Sequence, residues 1–138
     1  MGHINADLVV LGDRGQRTLK GVLVDTGATY TVLDPQTAKL VGVAFARRRI
    51  AIELGDGRRI KARFGSVQVM LGGRKTGVTV VSFPGAMPVI GVETLEALGL
   101  GVDPKRKRLT ALRPTARALY YGSVTIGRVD RSVAASAA

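Results

Sequence analysis

An apolar run, Val22-Leu23-Val24, leads directly into Asp25-Thr26-Gly27-Ala28. A carboxylate at the end of a buried strand is costly unless partners hold it there. Gly27 frees the backbone for a sharp turn and a close approach, and Thr26 brings a hydroxyl that can bond backbone groups. A carboxylate held in this way can pass protons to and from water as a general acid or base. Taken alone, Asp-Thr-Gly is also an ordinary turn, because all three residues favour turns. Other chemistries are narrowed by what the chain lacks. It has no cysteine, which excludes disulfides and thiolate nucleophiles. Its single histidine, His3, stands near one end of the sequence, so neither a Ser-His-Asp triad nor a multi-histidine metal site is expected. No metal and no cofactor is expected.

The elements that must position Asp25 can be read from apolar patterning and turn residues. Ile4 to Leu11 predicts a first strand, Gly12-Asp13-Arg14-Gly15 a turn, and Thr18 to Val24 a second strand ending on the carboxylate. Thr31-Val32-Leu33 is a short apolar run. Asp34 then reads as an N-cap with Pro35 at the first helical position, Gln36 to Leu40 as a short helix, and Gly42 as its stop. Arg49 to Leu54 and Arg58 to Phe64 predict a hairpin about Gly55-Asp56-Gly57, since Asp-Gly is a strong hairpin signal. The apolar phase moves from Ile60, Ala62 and Phe64 to Val67, Val69 and Leu71, which predicts a bulge or bend at Gly65-Ser66. Gly72-Gly73 turns the chain into a strand over Val78 to Val81. Pro88-Val89-Ile90-Gly91 reads as a short apolar strand, Val92 to Leu98 as a helix stopped by Gly99, and Arg108 to Leu112 as a strand. Leu119 to Ile126 would be a further strand, and Ser132 to Ala138 a disordered tail.

The chain has 138 residues, a length typical of one domain. Apolar residues make up 46%, but aromatics only 4%, so Val, Leu, Ile and Ala must fill the core. No stretch approaches the ~20 apolar residues that cross a bilayer. The N-terminus lacks a basic region followed by an apolar one, so a cytoplasmic location without a membrane partner is expected. The formal net charge of +11 admits nucleic acid as a partner. The basic residues fall into separate clusters, Arg47 to Arg49, Arg58 to Arg63, Arg74-Lys75 and Lys105 to Arg108, of the kind that usually forms solvated faces. In the hairpin, Arg59, Lys61 and Arg63 share one strand face, and Ile60, Ala62 and Phe64 the other. The apolar set is expected inward and the basic set toward solvent; a cleft-facing basic set would instead favour acidic peptides.

Leu23 to Leu33 resembles the active-site signature of retropepsin-like aspartic proteases: two apolar residues, Asp-Thr/Ser-Gly-Ala/Ser, two variable residues, Thr/Ser and an apolar pair. Two further elements follow in the family's order. Ile50 to Phe64, with Gly55-Asp56-Gly57 at its tip, resembles the flap. Val89-Ile90-Gly91, followed by the helix beginning at Val92, resembles the downstream apolar-apolar-glycine element. The resemblance covers roughly residues 4 to 112.

This resemblance implies an all-β fold, a closed acid-protease barrel with one or two short helices, over a domain at 1–112 followed by an extension at 113–138. It implies an aspartic endopeptidase. No other aspartate begins a second Asp-Thr/Ser-Gly, so the active site would need a homodimer that contributes Asp25 twice. Thr26 and Gly27 would brace the pair. An extended peptide or protein substrate would lie against Ala28 and Thr29, the flap residues Gly55, Asp56 and Gly57, and the Val89, Ile90 and Gly91 element. Many retroviral members carry an ion pair between the downstream helix and the signature loop. Here those places hold Val92, Thr29 and Tyr30, so both sides are missing together. The alternatives are a non-catalytic dimeric peptide-binding module of the same fold and a basic nucleic-acid-binding β-barrel. The scarcity of aromatics for base stacking disfavours the second.

Overall fold

Short Val-rich strands joined by glycine turns can bury one face only by closing on one another, and this chain closes them completely. The computed structural model describes residues 3–114. The elements run β1 (Ile4–Gly12), β2 (Gly15–Val24), β3 (Thr31–Val32), α1 (Pro35–Val41), β4 (Ala44–Phe45), β5 (Ile50–Glu53), β6 (Arg59–Leu71), β7 (Arg74–Ser82), β8 (Val89–Ile90), α2 (Val92–Leu98), β9 (Leu100–Asp103) and β10 (Arg108–Ala111). The strand order is β1-β2-β8-β3-β7-β6, and β6 pairs back onto β1, which closes a six-stranded barrel. The expected all-β acid-protease barrel with two short helices is the fold observed. The strand expected over Leu119 to Ile126 and the tail from Ser132 lie outside the described residues.

The barrel interior is aliphatic. Leu8 and Val10 of β1, Val67, Val69 and Leu71 of β6, Val80 of β7 and Ile90 of β8 meet Leu33, Val41, Leu95 and Leu98 in one cluster. A side chain such as Leu33, 0% exposed, contributes about 1.5–3 kcal/mol by leaving water. The helices close the barrel's ends with local devices. Asp34 Oδ2 accepts from Thr37 N at 3.1 Å, Pro35 opens α1, and Gly42 ends it with φ of 77°. Arg14 N, in the two-residue turn between β1 and β2, then donates to Val41 O at 2.9 Å, which ties that turn to the helix end. At the far end of α2, Gly99 is left-handed. Arg74 Nη1 and Arg113 Nη2 donate to the carbonyls of Leu98 and Glu96, where cations are favoured by the helix dipole.

Two expectations about strands need correction. The phase change in β6 does not come from a bulge. Its register with β7 runs unbroken from Arg63 opposite Ser82 to Leu71 opposite Arg74. The strand changes partners instead: β5 pairs with it over Arg59–Ala62, and β4 and β1 pair with it beyond. Gly65 lies where the Ala44 carbonyl presses on β6 and leaves no space for a Cβ. The register irregularity occurs in β1, between Ala6 and Leu8. In addition, β4 and β9 are strands that local pattern did not predict.

Ser82 is buried, and its Oγ has no hydrogen-bond partner among the described residues. A buried hydroxyl without a partner costs about 1–3 kcal/mol. Ser82→Ala should therefore raise stability by about 1 kcal/mol in a denaturant titration, and a loss of stability would mean that the hydroxyl is bonded.

Candidate active site

The apolar run of β2 pairs in parallel with β8, Leu23 beside Val89 and Val24 beside Ile90. Asp25 N continues this ladder by donating to Ile90 O at 3.0 Å. The chain then turns. Ala28 N donates to Asp25 O at 3.0 Å, and Gly27 N donates to the Asp25 carboxylate, Oδ1, at 2.9 Å. The carboxylate is thus held by its own loop, while Asp25, Thr26 and Gly27 remain exposed.

The loop is also bound to the start of α2. A helix begins with backbone N–H groups that have no intrahelical acceptor. Gly91, the N-cap residue, has no side chain to supply one. Val92 N instead donates to Ala28 O at 2.8 Å, and Glu93 N to Thr29 O at 3.0 Å. The carbonyls of Ala28 and Thr29 therefore already accept from the start of α2.

Beneath the turn lies a buried hydroxyl pair. Thr31 Oγ1 accepts from Gly91 N at 3.1 Å and lies 2.6 Å from Thr94 Oγ1. Both threonines are fully buried, at 0% exposure. Gly91 is required by this crossing, since a Cβ there would meet the Tyr30 carbonyl carbon and oxygen at 2.5 Å. Neither Thr31 nor Thr94 stood out as a site residue. Thr31 fills the hydroxyl place of the signature, but nothing local announces a partner 63 residues away.

The structure therefore brings Asp25, Thr26, Gly27, Ala28 and Thr29 together with Val89, Ile90 and Gly91. Gly55, Asp56 and Gly57 stand apart at the exposed tip of the β5–β6 hairpin. The tip's hydrogen bonds close on the hairpin itself: Leu54 N donates to Arg58 O, and Gly57 N to Leu54 O. Asp56 accepts from Arg58 N at 3.0 Å and from its Nε at 2.7 Å. The Arg58 backbone N–H first, and its side chain second, hold the Asp56 carboxyl below its ordinary 3.8. Of the hairpin's basic face, Arg59, Lys61 and Arg63 are exposed, while Ala62 is buried and Ile60 and Phe64 half-buried. Among the described residues no group of three or more His, Cys, Asp or Glu is placed to hold a metal ion.

The sequence model of a family described as aspartyl protease matches residues 10–103. That span takes in the Asp25 loop, the β5–β6 hairpin, β8 and α2. No curated protein matches the chain closely enough to count as a relative.

Thr31→Val should leave the Gly91 N–H and the Thr94 hydroxyl unsatisfied and destabilise the fold by about 1–3 kcal/mol. Adding Thr94→Val should cost less than its separate effect, because the two hydroxyls share one bond. Strict additivity in a double-mutant cycle would contradict the pairing. At the hairpin tip, the depressed Asp56 carboxyl stabilises the closed turn above the ordinary carboxylate range. That contribution is lost only as pH falls through its lowered folded value. Followed through the Arg58 amide by NMR, the titration midpoint should fall below 3.8.

Proposed function

The chain belongs to an aspartyl protease family of the retropepsin-like clan, and from that premise we propose that two copies of it form an aspartic endopeptidase with one Asp25 from each. The observation that carries this reading is a single exposed carboxylate at the end of β2, held by Gly27 N and by a loop bonded to β8 and α2. One such carboxylate per chain is half of the required pair. The exposed Asp25-Thr26-Gly27 loop is the surface on which a second copy would complete it, with an isologous interface and Asp25 near the two-fold axis. Thr26 and Gly27 brace that interface. The ion pair of many retroviral relatives has no counterpart at Thr29, Tyr30 and Val92, so backbone bonds between the same segments take over its bracing role.

The chemistry is that of aspartic proteases as a class, in which two close carboxylates share one proton because both cannot readily ionise. The ionised carboxyl takes a proton from a bound water, and the water oxygen attacks the peptide carbonyl carbon. The protonated partner donates to the carbonyl oxygen. Collapse of the tetrahedral intermediate returns a hydroxyl proton to the partner carboxylate, and the amine leaves with the proton taken from water, which restores the singly protonated pair. The hairpin carrying Gly55, Asp56 and Gly57 closes over an extended peptide and excludes water. The 1–112 unit suffices for this site, in a cytoplasmic setting. No helix among the described residues is long and apolar enough to cross a membrane.

Asp25→Asn preserves shape and hydrogen bonding but removes the group that accepts the proton. Cleavage of a diverse peptide library, read by mass spectrometry, should fall by at least about a hundredfold. Sedimentation at micromolar concentration should still find a dimer. The wild-type rate should trace a bell against pH, because only the singly protonated pair is competent. An Asn variant that cleaves at the wild-type rate, or a monomer that cleaves, would overturn the reading. A stable dimer that binds peptides and cleaves none would favour the peptide-binding module.

A further inference from the structure

A cavity of about 690 Å³ opens between α1, β4, the lower half of β6 and the loop after β7. None of its lining residues belongs to the Asp25 loop, β8 or α2. Five cations line it, Arg14, Lys39, Arg49, Lys61 and Arg63, against the one carboxylate of Asp13. They come from the β1–β2 turn, α1, the segment before β5, and β6. Their convergence is a product of folding, not of a single basic run.

Four cations elsewhere on the surface have counter-charges. Arg58 pairs with Asp56, Arg59 with Glu53, Arg106 with Asp103 and Lys20 with Asp7. Among the described residues none of the five cavity cations has an ion pair. Arg63 instead lies over the Phe45 ring, 4.3 Å from its centroid. Clustering five like charges is unfavourable unless an anion neutralises them. The rest of the wall is largely apolar, with Pro35, Ala38, Val43 and Pro84 beside Phe45 and Phe83. β4, which also lines the cavity, ends the strand order of its sheet, so one of its edges is unpaired among the described residues. An unpaired edge can bond an extended chain.

We propose that this groove docks an acidic peptide segment, in which carboxylates alternate with aliphatic side chains, away from the Asp25 loop. A segment of this kind matches both the charge and the apolar walls. Nucleic acid would match the charge, but its bases need several aromatic faces, and with the Phe45 face taken by Arg63 only Phe83 is left on the wall. On the peptidase reading the docked segment belongs to the substrate and lies outside the scissile region. On that reading the enzyme prefers acidic substrates, with Lys61 and Arg63 of the hairpin acting from the groove wall. Calling the ligand a substrate rests on that reading, whereas docking itself does not.

The test uses the full chain carrying Asp25→Asn and a short fluorescein-labelled peptide that alternates Glu with Leu and Val. Fluorescence anisotropy should show binding that weakens as salt rises, through screening of exposed charges. The same peptide with Gln for Glu should not bind. Lys39→Glu with Lys61→Glu should weaken binding by about tenfold or more, because charge reversal turns attraction into repulsion. Lys105→Glu with Lys107→Glu reverses the same charge in the β9–β10 turn and should leave affinity within about twofold, since screening isolates distant charges. All four lysines are exposed, so both variants should melt like the parent.

Equal loss in the two double variants, or equal binding of the Gln peptide, would overturn the proposal. So would tighter binding of a charge-matched oligonucleotide through Lys39 and Lys61. If the wild type cleaves no peptide yet the groove variants lose binding as stated, docking stands and the peptidase reading falls. If the wild type cleaves but the groove variants bind like the parent, the reverse holds.

Discussion

The backbone of Gly91 crosses that of Tyr30 so closely that a Cβ would lie 2.5 Å from the Tyr30 carbonyl, and the position of the Asp25 carboxylate follows from that crossing. Gly91 is at once the end of β8, the N-cap of α2 and the donor to Thr31 Oγ1. Because it lacks a side chain, the first N–H groups of α2 must find acceptors elsewhere, and the Asp25 loop supplies them through Ala28 O and Thr29 O. The loop is therefore fastened on one side to β8 and on the other to the helix. An exposed carboxylate gains a defined place without being buried, which avoids the desolvation penalty of an ionised group in the core.

The barrel beneath closes through β1, β2, β8, β3, β7 and β6. Its interior is filled mainly by Leu, Val and Ile, with the Thr31–Thr94 hydroxyl pair buried among them. Two separate surfaces result. One carries Asp25 in the exposed loop after β2. The other gathers Arg14, Lys39, Arg49, Lys61 and Arg63 around a groove. The groove's lining shares no residue with the Asp25 loop.

β6 illustrates how a correct pattern can support the wrong device. The shift from Ile60, Ala62 and Phe64 to Val67, Val69 and Leu71 was legible, and a bulge is the usual local cause of such a shift. In this fold the strand serves two environments in succession. Its first residues belong to a hairpin with β5 and its later ones to the barrel wall, so the buried face changes although the β7 register does not. Ala44–Phe45 and Leu100–Asp103 escaped prediction for a related reason. They are short, and their strand character comes from β6 and β10 lying alongside, not from alternation of their own.

The sequence by itself determined most of the strands, the two helices with their Asp34, Pro35, Gly42 and Gly99 boundaries, the hairpin tip at Gly55-Asp56-Gly57, and the candidate loop at Asp25, whose resemblance to a family implied the barrel. These are written in local terms: strand periodicity, capping side chains, left-handed glycines and a signature within a dozen or so consecutive positions. Tertiary structure alone decided the Thr31–Thr94 pair, the bonds from Val92 and Glu93 to the Asp25 loop, the reason for Gly91, and the gathering of five cations from four segments. Each of these joins residues far apart in the chain. A hydroxyl, a glycine or an arginine carries no local mark of the distant group it will meet, because that meeting is fixed only once the barrel has closed.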